Sequence, residues 1–331
     1  MCIRDRFIAN HSEDGDGFEE YAKYDNEKNN GKKNDNYALL SVLRMDVDNL
    51  GAVFLYGLKD IPGGINYYSL ARSVAVSRLF NLFFTVKVNY LAEKYKLYVT
   101  YSGGDDLFIV GSWINILKFA PELRKSFAEF ACGNNNLTLS AGIHLCKPKY
   151  PIGKGAEKAG KAEENAKGYI FEQSNSEELQ KGAVDSPVMN KYNKDSISIF
   201  GRVYKWKELD DMLEYAANIQ KLIEKGKINA SYMHFLLNMF EKIFDSDKKM
   251  KINEFFKYLP KIKYSFARKG INQNAIDRSI NDTNENNVVK TLSKLIAGNY
   301  WQYYMQNFRI VAYYTILKNR KTKYQEEQNG R

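Results

Sequence analysis

The chain has 331 residues, of which 44% are hydrophobic, so it is long enough to form two domains with ordinary cores. It contains no apolar run long enough to cross a membrane, and its first residues lack the apolar core of a secretory signal, which argues against a membrane or secreted protein. Its three cysteines lack metal-like spacing and suit a reducing compartment, so we expect a cytoplasmic protein. The formal net charge of +10 indicates an anionic partner without saying which one.

The first stretch, residues 1–36, is largely polar and is rich in glycine and asparagine. Such a composition is typical of loops and linkers, because it offers few apolar side chains to bury. We therefore predict that residues 1–36 are a linker or a partly disordered remnant and not a domain.

The first predicted strand lies at residues 38–45 and ends in an acidic motif. Asp46 and Asp48 follow it and are two residues apart, so a strand would point both side chains to the same side. A buried strand is not expected to end in two carboxylates unless water or a cation neutralises them. Metal binding is one explanation, and an N-cap for the following segment is the other.

A second acidic motif, residues 101–106, reads Tyr-Ser-Gly-Gly-Asp-Asp and lies between two strand-like runs. Apolar runs joined by a Gly-Gly turn predict a β-hairpin, and glycine there lets a ligand approach the backbone closely. Asp105 and Asp106 would point to opposite faces of a regular strand, so both can serve one ligand only if the turn bends. The alternative is an ordinary surface turn.

An antiparallel sheet could bring the two acidic motifs together. Asp46, Asp48, Asp105 and Asp106 would then form a cluster of hard oxygen ligands suited to Mg²⁺ or Mn²⁺ and not to zinc. The sequence therefore predicts a divalent-metal site where a strand end meets a hairpin that is distant in the chain.

Residues 37–202 have periodicities that predict an α+β domain. Strands and helices follow in the order β-α-β-β-α-β, which is the order of the split ferredoxin-like fold, with one further helix and strand. After the first strand, the predicted elements are a helix at 67–95, the hairpin, a helix at 114–130, a strand at 137–146, an alanine-rich helix at 153–167 and a strand at 196–200.

Residues 203–331 are helical in pattern, aromatic and basic, and they predict a separate α-helical domain. Between residues 248 and 269, lysine and arginine alternate with tyrosine and phenylalanine. This pattern is typical of a surface that contacts RNA or a ribonucleoprotein. It is equally consistent with a solvated helix face over an aromatic core, and the sequence leaves the choice open.

The two acidic motifs resemble those of a known family. Residues 43–51, Leu-Arg-Met-Asp-Val-Asp-Asn-Leu-Gly, and residues 101–106 resemble the second palm domain of the large subunit of type III-A CRISPR effector complexes, the Csm type. Later strands and the alanine-rich helix match in the same order, and the helical tail is similar to that subunit's C-terminal domain. The palm is also similar to diguanylate cyclases, whose hairpin ends in Glu instead of Asp.

The resemblance implies an ATP-dependent nucleotidyltransferase that joins ATP 3′ to 5′ into cyclic oligoadenylates with two divalent metal ions, Mg²⁺ or Mn²⁺. It implies catalytic roles for Asp46, Asp105 and Asp106. It also implies metal ligation by Asp46, the Val47 carbonyl, Asp48, Asp105 and Asp106, and nucleotide binding by Ser102, Gly103, Gly104, Asn49 and Lys167. For Lys167 the alternative is an ordinary helix-end lysine favoured by the helix dipole.

Family members carry an upstream His-Asp nuclease domain and a first palm domain, and neither is visible in this sequence. Because the family holds ATP between two palms, we expect this chain to be a C-terminal fragment with weak or no activity alone. The resemblance implies ATP, guide RNA, target RNA and other complex subunits as partners, and no membrane. Two alternatives stay open: a cyclase that makes cyclic dinucleotide from GTP, and a non-catalytic ribonucleoprotein scaffold.

Overall fold

The computed structural model describes residues 18–23, 38–56, 69–169, 194–272, 274–276 and 288–320. These residues fall into two compact units, one that ends at Trp206 and one that begins at Lys207. Within the described ranges, no helix combines the length and the apolar character needed to cross a bilayer.

The first unit is built on a six-stranded sheet. Its strands are β1 (Leu40–Val47), β2 (Tyr98–Gly103), β3 (Asp106–Ser112), β4 (Leu139–Cys146), β5 (Ser196–Ile199) and β6 (Arg202–Lys205), in the spatial order β2-β3-β1-β4-β5-β6. Strand β1 pairs antiparallel with β3 on one side and with β4 on the other. The order β2-β3-β1-β4 is that of the ferredoxin-like fold, which confirms the predicted class. Strand β5 extends the sheet parallel to β4, and β6 closes it with a hairpin.

Five described helices accompany this sheet, and one of them, at residues 152–168, contacts the acidic residues. They are α1 (Phe18–Lys23), α2 (Leu50–Tyr56), α3 (Leu70–Lys94), α4 (Trp113–Phe130) and α5 (Ile152–Gly168). Side chains alternate along β1, so Leu43, Met45 and Val47 share one face, and all three are buried. Arg44 and Asp46 lie on the opposite face, where α5 contacts both of them.

Helix α5 approaches β4 with no side chain between them. A Cβ atom at Gly142 on β4 would lie 2.2 Å from the backbone nitrogen of Glu163 and 2.3 Å from the carbonyl oxygen of Ala159. Only glycine fits at this position, because it lacks a Cβ atom. The close contact sets the position of α5, and with it the positions of Glu163 and Lys167 above the end of β1.

Three elements of the first unit were not predicted from the sequence, namely α1, α2 and β6. Helix α1 lies within the stretch interpreted as a linker, and its Tyr21 and Ala22 pack in a cluster with Leu40 and Val42 of β1. The other residues of that stretch lie outside the described residues. Strand β6 follows a two-residue turn in which Phe200 and Gly201 have φ values of 52° and 75°, as type I′ hairpin turns require. The sheet therefore continues past residue 202, where the sequence placed the end of the palm domain.

The described residues of the second unit form helices and their connections. The described helices are α6 (Trp206–Glu224), α7 (Ala230–Ile243), α8 (Ile252–Ala267), α9 (Val288–Ser293), α10 (Trp301–Gln306) and α11 (Phe308–Lys318). Helices α7 and α11 pack together, with the rings of Phe240 and Phe308 edge to face at 5.0 Å. The predicted architecture of an α+β domain followed by a helical region is confirmed. The domain limits 37–202 and 203–331 stay a prediction.

Candidate active site

The two acidic motifs meet at one end of strands β1 and β3. Asp46 on β1 is the cross-strand partner of Asp106, the first residue of β3. The pairing continues into the turn, where the Val47 amide donates a hydrogen bond of 3.0 Å to the Asp105 carbonyl oxygen. Because cross-strand partners point to the same face, the Asp46 and Asp106 carboxylates are neighbours. Asp105 lies in the turn between β2 and β3 and is exposed.

A basic side chain holds one oxygen of each neighbouring carboxylate. Lys167 Nζ on α5 donates to Asp46 Oδ2, and Arg44 Nη2 donates to Asp106 Oδ2 at 3.0 Å. The second oxygens, Asp46 Oδ1 and Asp106 Oδ1, are buried and have no hydrogen-bond partner among the described residues. A buried acceptor without a partner costs free energy. Both oxygens are therefore available to a further cation or donor.

Glu163 of α5 links the two basic side chains. One of its oxygens is 3.0 Å from Lys167 Nζ, the other is 3.9 Å from Arg44 Nε, and its side chain is almost fully buried. Lys167 therefore contacts two carboxylates at once, Asp46 and Glu163. The acidic side chains of the site outnumber the basic ones, so its charge is incompletely compensated.

Burial shifts the pKa values of these groups. It raises the pKa of Asp46 above its usual range, and the nearby Asp105 and Asp48 carboxylates add to this, while Lys167 opposes it. Burial also raises the pKa of Asp106 and outweighs the opposing charge of Arg44. For Lys167, burial lowers the pKa, but the hydrogen bonds to Asp46 and Glu163 more than offset it, so the net shift is upward. Lys167 is thus held as a cation between acids.

Asp48 accepts hydrogen bonds from neutral donors, whereas Asp46 and Asp106 pair with basic side chains. Its side chain is fully buried, and its Oδ2 accepts hydrogen bonds from Thr138 Oγ1 (2.7 Å), Ser140 Oγ (2.9 Å) and the Asp195 amide (3.1 Å). These donors come from the start of β4 and from the residue before β5, so Asp48 joins three parts of the sheet. Its Oδ1 has no hydrogen-bond partner within the described ranges. Neither Asp46 nor Asp48 accepts a hydrogen bond from the first turn of α2 in the described structure, which removes support for the N-cap alternative.

A comparison with protein families identifies the region that carries these groups. Residues 39–175 match the family model described as Cas10/Cmr2, second palm domain. These residues are a Cas10/Cmr2 second palm domain. The matched range contains β1, the β2–β3 hairpin and α5, and hence both acidic motifs and Lys167. The recognition made from the two motifs is confirmed.

Proteins similar to this chain in sequence or in structure carry the names Cas10/Csm1 or Csm1. A Streptococcus thermophilus protein named CRISPR system single-strand-specific deoxyribonuclease Cas10/Csm1 (subtype III-A) is 36% identical over 244 residues, which are 66% of this chain and 29% of that protein. The crystal structure of Csm1 in T. onnurineus aligns with a TM-score of 0.54 at 18% identity, over 90% of this chain and 40% of the other. A Csm1–Csm4 cassette in complex with pppApA aligns with the same TM-score and identity, over 90% and 38%. The structural matches show the fold, and this chain spans less than half of each of these proteins.

The palm residues predicted to bind nucleotide differ in their contacts with the rest of the protein. Ser102 Oγ donates to the Phe84 carbonyl oxygen at 3.0 Å, and Asn49 contacts Lys194 Nζ at 2.8 Å. Gly104 has a φ of +71°, and a Cβ atom built on it would meet nothing within 4 Å. At Gly103 the nearest atom to such a Cβ would be the Tyr101 hydroxyl at 3.7 Å. The Gly104 amide, however, donates a hydrogen bond to Asn81 Oδ1 at 3.2 Å. Ser102, Asn49 and Gly104 thus all have protein partners. Their nucleotide contacts stay predictions.

The carboxylate oxygens of the palm site are the type of ligand that a hard divalent cation binds. Asp46 Oδ1 and Asp106 Oδ1 are carboxylate oxygens without partners among the described residues, which is the ligand type that Mg²⁺ and Mn²⁺ prefer. Among the described residues, no three His, Cys, Asp or Glu side chains are arranged to hold a metal ion together. Mg²⁺ commonly takes one or two carboxylates and completes its shell with water and phosphate oxygens, so two donors suffice. The metal roles of Asp48, Asp105 and the Val47 carbonyl stay predictions.

Reasoning from the sequence missed several residues of the site, including Arg44, Glu163 and Asp195. Arg44 is two residues before Asp46, and this spacing on a strand could have placed it on the same face. Glu163 is four residues before Lys167 on α5, and this spacing could have indicated the ion pair. No sequence signal connects Asp195 with Asp48, because that hydrogen bond joins residues that are distant in the chain.

Proposed function

We propose that the palm domain joins ATP molecules 3′ to 5′ into cyclic oligoadenylates, with release of pyrophosphate, within a type III-A CRISPR effector complex. The observation that carries this proposal is the register of β1 and β3, which makes Asp46 and Asp106 cross-strand neighbours with an unpartnered oxygen on each. The similar Csm1–Csm4 cassette was captured with pppApA. That molecule is what forms when the 3′-hydroxyl of one ATP attacks the α-phosphate of a second.

The chemistry of the site suits this reaction. Divalent ions bound by the palm carboxylates would neutralise the charge that develops on the α-phosphate and the pyrophosphate. Asp46 and Asp106 would hold these ions, with Asp105 supporting them from the turn. Lys167 and Arg44 add positive charge to the same face of the sheet. Gly103 and Gly104 have no side chains of their own, so a ribose or a phosphate can approach the turn where a Cβ atom would otherwise lie.

We propose further that the reaction needs partners. The resemblance implies that ATP is held between two palms and that synthesis is triggered when target RNA pairs with guide RNA. This chain supplies the second palm, so by itself it should make little or no oligoadenylate. The single-strand-specific deoxyribonuclease activity in the relative's name is stated of a protein more than three times as long as the matched segment.

The test uses the assembled effector complex with target RNA, ATP and Mg²⁺ or Mn²⁺. Asp105→Ala combined with Asp106→Ala should abolish oligoadenylate synthesis and leave target RNA binding unchanged, because the loss is confined to cation binding at the hairpin. Asp247→Ala, at an exposed aspartate in the helical unit, is the matched control and should keep full synthesis. Undiminished oligoadenylate from the double variant would refute the proposal.

The same assay separates the two alternatives. A product made from GTP and not from ATP would identify a cyclic-dinucleotide cyclase. RNA binding without any nucleotide product, in a complex whose other subunits are active, would identify a scaffold. Thermal unfolding of the chain with either nucleotide gives an independent measurement, because a ligand that binds only the folded state raises the unfolding temperature.

A further inference from the structure

Helix α8 of the second unit carries an exposed stripe of basic and aromatic side chains. Lys257, Lys261, Tyr264 and Arg268 are spaced i, i+4, i+7 and i+11, so they share one face, and all four are exposed. Of the residues of α8, only Ile262 and Phe266 are buried. We call Lys257, Lys261, Tyr264, Arg268 and the adjacent Lys269 the α8 stripe.

The charge of this region is almost entirely of one sign. Between residues 251 and 269 there are six basic side chains and one acidic one, Glu254, which is 3.4 Å from Lys257. Lys261, Arg268 and Lys269 have no acidic partner among the described residues. A group of cations without acids repels itself and attracts an anion with several charges.

The aromatic residues decide between the two interpretations that the sequence left open. A solvated helix face over an aromatic core requires that the rings be buried. Instead, 66% of Tyr264 and 65% of Phe256 are exposed, and only Phe266 belongs to the core. An exposed aromatic ring between cations is the arrangement that proteins use to stack bases of a single strand while lysine and arginine bind its phosphates.

Beside the stripe lies an open depression with the same chemistry. It has a volume of about 360 Å³ and is lined by Tyr232, Phe235, Ser265, Arg268 and Lys269. The rings of Tyr232 and Phe235 are nearly parallel, with centroids 5.9 Å apart and an interplanar angle of 13°. Lys269 Nζ lies 5.4 Å from the Tyr232 ring centroid, and the Tyr232 hydroxyl is 3.1 Å from Ser265 Oγ, which fixes the ring. The depression thus offers a fixed aromatic surface next to two cations.

We propose that the α8 stripe and this depression bind a segment of single-stranded RNA. Its phosphates contact Lys257, Lys261, Arg268 and Lys269, and its bases stack on Tyr264 and at the depression. The choice of RNA over DNA rests on the proposed function, which places the chain in an RNA-guided complex. The binding surface itself does not depend on nucleotidyl transfer, so it can fail or succeed independently of that activity.

The experiment measures fluorescence anisotropy of a labelled oligouridylate of about 20 nucleotides with the full chain, between about 50 and 200 mM salt. Replacing Lys261, Arg268 and Lys269 together by alanine should weaken binding by at least about tenfold and lower the salt slope by roughly 2, since each phosphate contact in a single strand contributes about 0.7. Tyr264→Ala should weaken binding by about fivefold or more with little change in the salt slope, because stacking involves no counterion.

The matched control removes the same charge elsewhere. Lys154, Lys221 and Lys225 are exposed lysines outside the stripe, and their replacement by alanine should change affinity by less than about threefold. Thermal unfolding of every variant is measured alongside, and an unchanged midpoint shows that a loss of binding is not a loss of folding. The assay needs no ATP, so its outcome is separate from that of oligoadenylate synthesis.

Four outcomes would overturn the proposal. They are equal losses in the stripe variant and its control, unaltered binding by Tyr264→Ala, tighter binding of the DNA oligonucleotide of equivalent sequence, and absence of RNA binding by the wild-type chain. If the chain instead self-associates in analytical ultracentrifugation and Tyr264→Ala abolishes this, the stripe is an interface between copies of the chain.

Discussion

The palm site and the α8 stripe both concentrate charge, but they handle it in opposite ways. In the palm, each neighbouring carboxylate is paired with a basic side chain, and the Lys167–Asp46 pair is about a quarter exposed. In the stripe, the basic side chains face solvent, and the only acidic side chain between residues 251 and 269 is Glu254. The free energy of a buried charge depends on its individual partners. Solvent screens each exposed charge, so exposed charges have an effect mainly through their total number. A single substitution should therefore matter far more in the palm than on α8.

The largest effect on stability is expected at Asp48. Asp48→Ala removes an acceptor that is fully buried and leaves two hydroxyl groups and one amide without their partner. We expect the free energy of unfolding in urea to fall by about 3 kcal/mol. Asp48→Asn keeps one oxygen acceptor and should lose about half as much. A loss below about 1 kcal/mol in the alanine variant would show that the palm site tolerates unpaired groups as well as the surface does.

An intermediate effect is expected at Lys167, whose ammonium group holds Asp46 Oδ2 and so competes with a divalent cation for this carboxylate. Lys167→Met removes this competing cation, so we expect Mn²⁺ to bind roughly tenfold more tightly in calorimetry without nucleotide, with the gain limited by solvent screening of a partly exposed pair. The same variant should bind ATP more weakly. Lys161→Met is the matched control, because Lys161 is on the same helix and pairs with the exposed Glu157. Weaker Mn²⁺ binding by Lys167→Met would contradict the competition.

The smallest effect is expected at Lys261. Its ammonium lies 5.8 Å from the Tyr258 ring centroid and pairs with no acid among the described residues. Lys261→Ala should change the free energy of unfolding in urea by less than about 0.5 kcal/mol. A loss comparable to that of Asp48→Ala would mean that the stripe is a structural element, and the contrast between the two regions would disappear.

The sequence predicted the parts of the site that depend on local geometry. Strand alternation and the Gly-Gly turn were sufficient to expect that Asp46 and the hairpin meet, and the β1–β3 register has them adjacent. The sequence could not predict the partners of Asp46 and Asp48. Lys167 and Asp195 contact these aspartates only because α5 and β5 pack beside the end of β1. The basic and aromatic pattern at residues 248–269 likewise left open whether its aromatic rings are buried or exposed. The exposure of Tyr264 therefore became known only from the tertiary structure.

The contact at Gly142 has a consequence for how the palm tolerates change. Because α5 meets main-chain atoms at Gly142 of β4, backbone geometry sets how closely the helix approaches the sheet at that point. Substitutions on the opposite face of the sheet, around Leu43 and Met45, can then alter the core without shifting the lysine. The end of the domain that carries the two acidic motifs is in this respect insulated from changes on the Leu43 and Met45 face of the sheet.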